Sequence, residues 1–357
     1  MRVLFLCPNL SGGGAERHWS ILLPGLAARG IGVSLATLDG RGAFFTTLEQ
    51  AGIPTRCFAG AGARVYPSVL REIRRSHPDV VVTRATSAHG LAMLATRSSH
   101  MKWVVNWHRP DGLQLSPRRV LILRQILGSA DAVLAVSGSQ IAELQSFGVR
   151  RDVIRVIHNG TDFPATRSAR ARLRREFGIG DDEVAFLLAG RLDRQKRGDV
   201  FIDALARAQR QDRSIVGLIA GAGPLEPELR LQAQERGARV SLLGRREDVP
   251  EVMSAADALA LTSDQEALPY VVLEGMASGL PVIATSVGAI PEVVTTDVGI
   301  TAPAGDAGAV AAAMLSLAAD PARRAQLGEA AQRKQHDLFS ADAMCDAYAR
   351  ALREIAG

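Results

Sequence analysis

Lysine is nearly absent: the 357-residue chain has Lys102, Lys196 and Lys334, and none is followed by Ser or Thr. A Walker-A phosphate loop, which needs Lys before a hydroxyl residue, is therefore excluded. No two aspartates stand two apart, so the Asp-x-Asp metal clamp used by many sugar-transferring enzymes is missing. No His-Glu-x-x-His occurs either, which excludes a zincin. The cysteines, at 7, 57 and 345, are odd in number and far apart. They rule out a disulfide framework or zinc ribbon and fit a reducing cytosol. Aromatics make up 4% of the chain and do not interleave with basic residues, which argues against base-stacking nucleic-acid recognition. No uninterrupted apolar run reaches the roughly 18 residues of a membrane span. The opening Met1-Arg2-Val3-Leu4-Phe5-Leu6-Cys7-Pro8 reads as a buried strand rather than a signal peptide, having no small-residue cleavage site behind it.

What is present suits two ordinary α/β domains. Apolar stretches near 2–7, 32–37, 79–83, 102–106, 131–136 and 153–157 alternate with helix-period segments. The scheme repeats near 184–189, 215–220, 239–243, 257–262, 281–284 and 298–301. Such alternation with short Gly/Pro turns means parallel, helix-covered sheets, so two doubly wound Rossmann-like domains are expected. Ala130–Ser137 is echoed by Ala256–Ser263, each a strand ending in Ser at a sheet's carboxyl edge. The expected boundary follows the turn-rich Asn159–Pro164: an N-terminal domain over 1–163, joined by a final helix over 340–357 that Ser340 can cap, and a second domain over 164–339. Residues 1–163 hold 19 basic and 10 acidic side chains, +9, while the remainder holds 23 and 27, −4. Opposite balances suggest different partners for each half.

Four segments carry chemistry. In Thr262–Thr285 a strand runs into a loop with Glu266, Pro269 begins a helix, Glu274 falls on its second turn and Gly279 closes it. A helix N-terminus at the end of a parallel strand suits phosphate, and flanking carboxylates accept from sugar or ribose hydroxyls. The plainer reading is an ordinary cap and a solvated helix face. In Gly190-Arg191-Leu192-Asp193-Arg194-Gln195-Lys196-Arg197, Arg and Lys in a turn after a strand can neutralise a diphosphate, or form a merely solvated basic loop. Gly12-Gly13-Gly14 follows the first strand and permits close backbone approach, but Arg17 breaks the dinucleotide fingerprint at its third glycine. Gly221-Ala222-Gly223 fails likewise at Glu226. His108 lies just past a buried strand, placed for a sugar hydroxyl or a proton, or for a structural role. The other histidines show no metal-ligand spacing.

Together these segments resemble glycosyltransferase family 4, the retaining family of glycosyltransferase-B fold. Its Glu-x7-Glu signature reads Glu266…Glu274, and its Gly-Arg-Leu-x-x-x-Lys motif reads Gly190-Arg191-Leu192…Lys196. Gly13–Arg17, Asn159-Gly160-Thr161-Asp162, Gly221–Pro224, Leu243-Gly244 and Gly288–Glu292 follow in the family's order. The resemblance implies that Arg191 and Lys196 hold a donor diphosphate and Glu274 the nucleotide ribose. Glu266, with the backbone of Ala267, Leu268, Pro269 and Tyr270, would contact the transferred sugar. Gly244 and Arg245 would meet the base, Gly13 and Gly14 would approach the diphosphate, and His108 would face the sugar. Two departures stand out: Ala267 where the family has Gly, strained if φ there is positive, and Arg197 rather than Gly after Lys196, adding charge near the phosphates.

The expected activity is retaining transfer of a hexose-type sugar from a nucleotide-diphosphate sugar, UDP-linked or GDP-mannose, to a hydroxyl of a glycan or lipid-linked acceptor. No metal or other cofactor is expected. The acceptor would bind the basic first domain, where Arg64–Arg75 and Arg118–Leu127 are either core-packed helices with arginine faces or a peripheral dock for anionic membrane. No nucleic-acid partner is expected. The competing readings are a nucleotide-sugar epimerase of the same fold and a non-enzymatic nucleotide- or nucleic-acid-binding protein.

Overall fold

The computed structural model describes residues 1–10, 14–58, 62–97, 99–108, 116–163, 166 and 168–357. The chain divides into two compact units, Met1–Gly160 with Ser340–Gly357, and Thr161–Phe339. The division falls three residues before the sequence-based boundary. Thr161 already belongs to the second unit, because its N–H donates to Phe339 O and its carbonyl accepts from Gln335 Nε2.

In the first unit β1 (Arg2–Cys7), β2 (Gly32–Thr37), β3 (Thr55–Cys57), β4 (Val80–Thr83), β5 (Lys102–Trp107), β6 (Ala132–Ala135) and β7 (Ile154–Val156) form one sheet, ordered β3-β2-β1-β4-β5-β6-β7. All pairings are parallel. The inner strands are apolar on both faces because helices cover both. Val3, Phe5, Val82, Val104 and Leu134 face one core, which includes Trp19 and Leu22 of helix Gly14–Ala28 and Tyr348 and Leu352 of helix Ala341–Ala356. Leu4, Leu6, Val81, Trp103 and Val133 face the other. Helix Ala341–Ala356 begins where expected, with Ser340 Oγ accepting from Ala343 N. Its buried residues Met344, Cys345, Tyr348, Ala349 and Leu352 recur at helical spacing, one stripe toward the core.

The second unit places β8 (Val184–Ala189), β9 (Ile215–Ala220), β10 (Val240–Leu242), β11 (Ala258–Leu261), β12 (Val282–Thr285) and β13 (Gly299–Ala302) in the order β10-β9-β8-β11-β12-β13. These pairings are parallel as well. The strand order reverses between β8 and β11, and in open α/β sheets ligands bind outside the carboxyl ends at such a switch point. The loops after these two strands carry Gly190–Lys196 and Glu266. In the first sheet the corresponding reversal lies between β1 and β4. Among the described residues, no helix is long and apolar enough to cross a membrane.

Candidate active site

In the second unit, β8 is buried at every position and delivers Gly190 to the sheet edge. Gly190 N donates to Ala220 O, Leu192 N to Ala222 O and Gly221 N to Gly244 O, which stitches together the loops after β8, β9 and β10. A Cβ on Gly221 would stand 1.8 Å from Gly190 O. Glycine is needed there by the chain's own backbone, whatever a ligand requires. Asp193 Oδ1 then caps the turn Arg194–Lys196 by accepting from Lys196 N at 3.2 Å, and Asp193 Oδ2 accepts from Arg191 Nε at 2.6 Å. The Arg191 side chain is 73% exposed, so this surface pair stabilises little and leaves the guanidinium available to an anion.

The loop after β11 is sewn onto that turn. Thr262 Oγ1 donates to the carbonyls of Lys196 and Arg197, Asp264 N to Gln195 O, and Gln195 Nε2 to Gln265 O. Lys196 Nζ reaches Glu266 Oε1 at 2.6 Å, where Ser263 Oγ also donates at 2.6 Å. Glu266 is almost wholly buried, so its charge is acceptable only because it is paired and hydrogen-bonded. Gly288 backs the loop: a Cβ there would sit 1.8 Å from Glu266 O, and Ala289 N donates to Ala267 O. Helix Tyr270–Ala277 follows with Pro269 at its N-cap, Leu268 and Tyr270 buried, Glu274 buried on its second turn and Gly279 at φ +73° just past its end.

Gly190, Arg191, Gly221, Arg245, Val271 and Glu274 line a cavity of about 380 Å³ at this edge. The site of a Cβ on Gly190 lies 3.9 Å from Lys196 Cε, so the Lys196–Glu266 pair adjoins the cavity at Gly190. A larger cavity of about 620 Å³ lies at the amino end of the first sheet, around Lys102 and Asp131, away from every motif above. Among the described residues no three His, Cys, Asp or Glu side chains converge as a metal site would require.

In the first unit His108 follows β5, and its buried Nε2 has no hydrogen-bond partner among the described residues. Its ring lies 4.3 Å from that of His18, centroid to centroid. His18 is fully buried, and its Nε2 stands 3.0 Å from the Tyr348 hydroxyl. Burial first, then the Arg84 charge, hold His18 down to about 3, against an opposing bond to Asn159. Burial, His18 and Arg84 hold His108 well below the ordinary range. Both imidazoles are neutral at physiological pH. Sequence reasoning gave His18 no role, since its partner Tyr348 is 330 residues away. Gly14 opens helix Gly14–Ala28, and Gly13 lies outside the described residues.

The glycosyltransferase family 4 model matches residues 12–163, and that of glycosyl transferases group 1 matches residues 169–334. A GDP-mannose-dependent α-(1-6)-phosphatidylinositol monomannoside mannosyltransferase of Mycolicibacterium smegmatis is 30% identical over 67% of this chain and 67% of its own length. The chain belongs to glycosyltransferase family 4. A D-inositol 3-phosphate glycosyltransferase of Xylanimonas cellulosilytica is 32% identical over 66% of the chain, the match spanning 60% of that relative. Anabaena HepE, solved in complex with UDP-glucose, superposes with a TM-score of 0.86 at 25% identity, covering 99% of this chain and 100% of that one. The two parallel α/β units are those of the glycosyltransferase-B fold.

Two expectations for this family 4 member change against its geometry. Ala267 is not strained: among the described residues the non-glycine positive φ values belong to His77, Ala85 and Arg197. Arg197, by contrast, does sit in the left-handed region at φ +49°, where the family has Gly. Its charge is not left for phosphates, because Asp199 and Asp264 both accept from its guanidinium. Arg197 thereby ties the Glu266 loop to the Lys196 turn. The two basic helices also differ. Helix Tyr66–Ser76 buries Val69 and Ile73 and turns Arg71, Arg74 and Arg75 to solvent, a core-packed helix with an arginine face. Helix Pro117–Leu127 likewise buries Leu123 and Leu127 but also exposes Leu121 and Ile122 among Arg118, Arg119 and Arg124.

Proposed function

We propose that the chain transfers a hexose-type sugar, with retention at the anomeric carbon, from a nucleotide-diphosphate sugar to a hydroxyl of a glycan or lipid-linked acceptor. The observation that carries this reading is the cavity at the β8/β11 switch point, where Arg191 and Glu274 share one wall system with the glycine backbone and adjoin Lys196 and Glu266. Arg191 and Lys196 neutralise the diphosphate without a metal ion, a role the missing Asp-x-Asp motif leaves to them. Glu274 accepts from the ribose hydroxyls, Gly244 and Arg245 border the base, and Glu266 with the backbone from Ala267 to Tyr270 holds the transferred sugar. Gly13 and Gly14 serve the diphosphate and His108 a sugar hydroxyl. A UDP-sugar is the favoured donor, supported by the UDP-glucose complex of HepE; GDP-mannose is the alternative, supported by the mannosyltransferase relative.

Breaking the sugar–phosphate bond builds positive charge on the ring and negative charge on the leaving diphosphate. Fixed cations and the N-terminus of helix Tyr270–Ala277 stabilise the leaving group electrostatically. Transfer then proceeds on the same face of the ring, and the departing phosphate takes the acceptor's proton. Calorimetry with UDP, GDP, ADP and their sugars tests the donor site, run with and without EDTA. Product NMR tests the stereochemistry, and an inverted anomer excludes this route.

The exposed Leu121 and Ile122, ringed by arginines on a helix with no acidic residue, favour an acceptor presented at an anionic lipid surface. Flotation with anionic and with neutral liposomes tests this, and absence of binding to both removes it.

A further inference from the structure

The Tyr348 hydroxyl lies between two nitrogens, Asn106 Nδ2 at 2.7 Å and His18 Nε2 at 3.0 Å. One residue that has no choice fixes the first two bonds of this group, and the third follows from giving the Tyr348 hydroxyl proton an acceptor. An indole N–H can only donate. Trp19 Nε1 donates to Asn106 Oδ1 at 2.9 Å, which makes that atom the amide oxygen and leaves Nδ2 as a donor. Nδ2 then donates to the Tyr348 oxygen, whose own proton is directed at His18 Nε2. His18 accepts there, so its single proton resides on Nδ1. All four side chains are buried.

We propose that this Trp19–Asn106–Tyr348–His18 relay is a positioning device for His108, locking the neighbouring imidazole in one orientation with its Nε2 uncommitted among the described residues. The proposal deepens the transfer reading and rests on the role given there to His108. The charged and titratable groups facing the imidazole pair are Arg84 after β4 and Tyr348 on helix Ala341–Ala356, with Cys345 acting on Tyr348 in turn. Burial pushes the Tyr348 hydroxyl up from its ordinary range, so it stays a donor throughout physiological pH. Tyr348 and His18 therefore act on the reaction only through His108. The relay joins helix Gly14–Ala28, β5 and helix Ala341–Ala356, and a shift in any of them moves the imidazole.

The test uses the full chain labelled with ¹⁵N-histidine and the variants Tyr348→Phe and His18→Asn. In the wild type, His18 is expected as the pure Nδ1–H tautomer from pH 6 to 8. In Tyr348→Phe it is expected to populate both tautomers, and the His108 resonances are expected to move. Release of UDP from UDP-glucose, or of GDP from GDP-mannose, is expected to fall about 5- to 50-fold in kcat in both variants. The donor KM is expected to stay within about twofold. An Nε2–H tautomer for wild-type His18, unmoved His108 resonances in Tyr348→Phe, or an unchanged kcat beside a moved spectrum overturns the proposal. If the wild type turns over neither donor, the transfer reading has failed, and the His18 and His108 spectra still decide the relay.

Discussion

Lys196 Nζ and Glu266 Oε1 stand 2.6 Å apart, although the two residues are 70 positions apart in the chain. Each was expected to meet a different part of the donor, the diphosphate and the sugar. In the structure the two are paired with one another instead.

Lys196→Ala removes both a phosphate ligand and the partner of a buried carboxylate. Breaking a fully buried pair costs about 3–5 kcal/mol. Because Lys196 is 21% exposed, a loss of about 1–3 kcal/mol is expected by urea unfolding. Adding Glu266→Gln should restore most of that stability and none of the nucleoside-diphosphate affinity by calorimetry. Recovery of affinity in the double variant would remove Lys196 from the donor site.

Arg191→Ala should behave oppositely. The side chain is largely exposed and pairs with the neighbouring Asp193, so stability should change by less than about 0.5 kcal/mol. Affinity for a nucleoside diphosphate should fall about tenfold, with a weaker salt dependence than the wild type, since one exposed charge no longer takes part.

Arg197 separates two effects at one position. Both Arg197→Gly and Arg197→Ala lose the ties to Asp199 and Asp264, but only glycine is at ease at φ +49°. The glycine variant should be the more stable of the two by about 1 kcal/mol, the cost of a left-handed conformation for alanine. Equal denaturation midpoints would show that the backbone relaxes away from this conformation.

Gly288→Ala places a methyl against the Glu266 carbonyl from a φ of +53°. Overpacking against backbone should cost about 1–3 kcal/mol. Donor affinity should drop with it, because the displaced segment carries Glu266. Wild-type affinity in a folded Gly288→Ala protein would detach the loop from the donor.

Acid should destabilise the first unit through its buried histidines. His18 and His89 are held at about 3 and His108 well below its ordinary value, in each case mainly by burial. Between about pH 3 and 6.5 the unfolded chain binds more protons than the folded one, so stability falls as pH falls through that window and is flat just above it. Each such histidine contributes a slope of about 1.4 kcal/mol per pH unit. Urea midpoints from pH 7.5 to 5 should show the fall, and His89→Gln should reduce its slope. A fall that begins only below pH 4 would contradict it.

Twelve of the strands were legible because largely apolar runs between turn residues mark helix-covered parallel strands; β7, with Arg155 exposed in its middle, was legible only through the flanking Val153 and Ile157. The thirteenth, β3, is three residues at the sheet edge with an exposed Arg56 in its middle, and it presents no such run. Motif order placed Arg191 and Glu274 around one cavity. What periodicity and spacing do not encode is the choice of partner. Asp193 serves both Arg191 and Lys196 within three residues, yet nothing in its own neighbours distinguishes it from a solvated loop acid. The pairing of Arg197 with Asp264 depends on which strand ends are adjacent, and that of His18 with Tyr348 on helix Ala341–Ala356 packing beside helix Gly14–Ala28, both properties of the folded unit.

Helix Ala341–Ala356 completes a core begun by residue 3, and the whole of 161–339 intervenes. During synthesis from the amino terminus, the first unit waits with Phe5, Trp19 and Leu22 uncapped while the second, continuous unit emerges and can close. Residues 341–356, made only after the whole of 161–339, are therefore the ones that end the exposure of the first. Nascent chains stopped before residue 341 should need chaperone protection that chains including residues 341–356 do not.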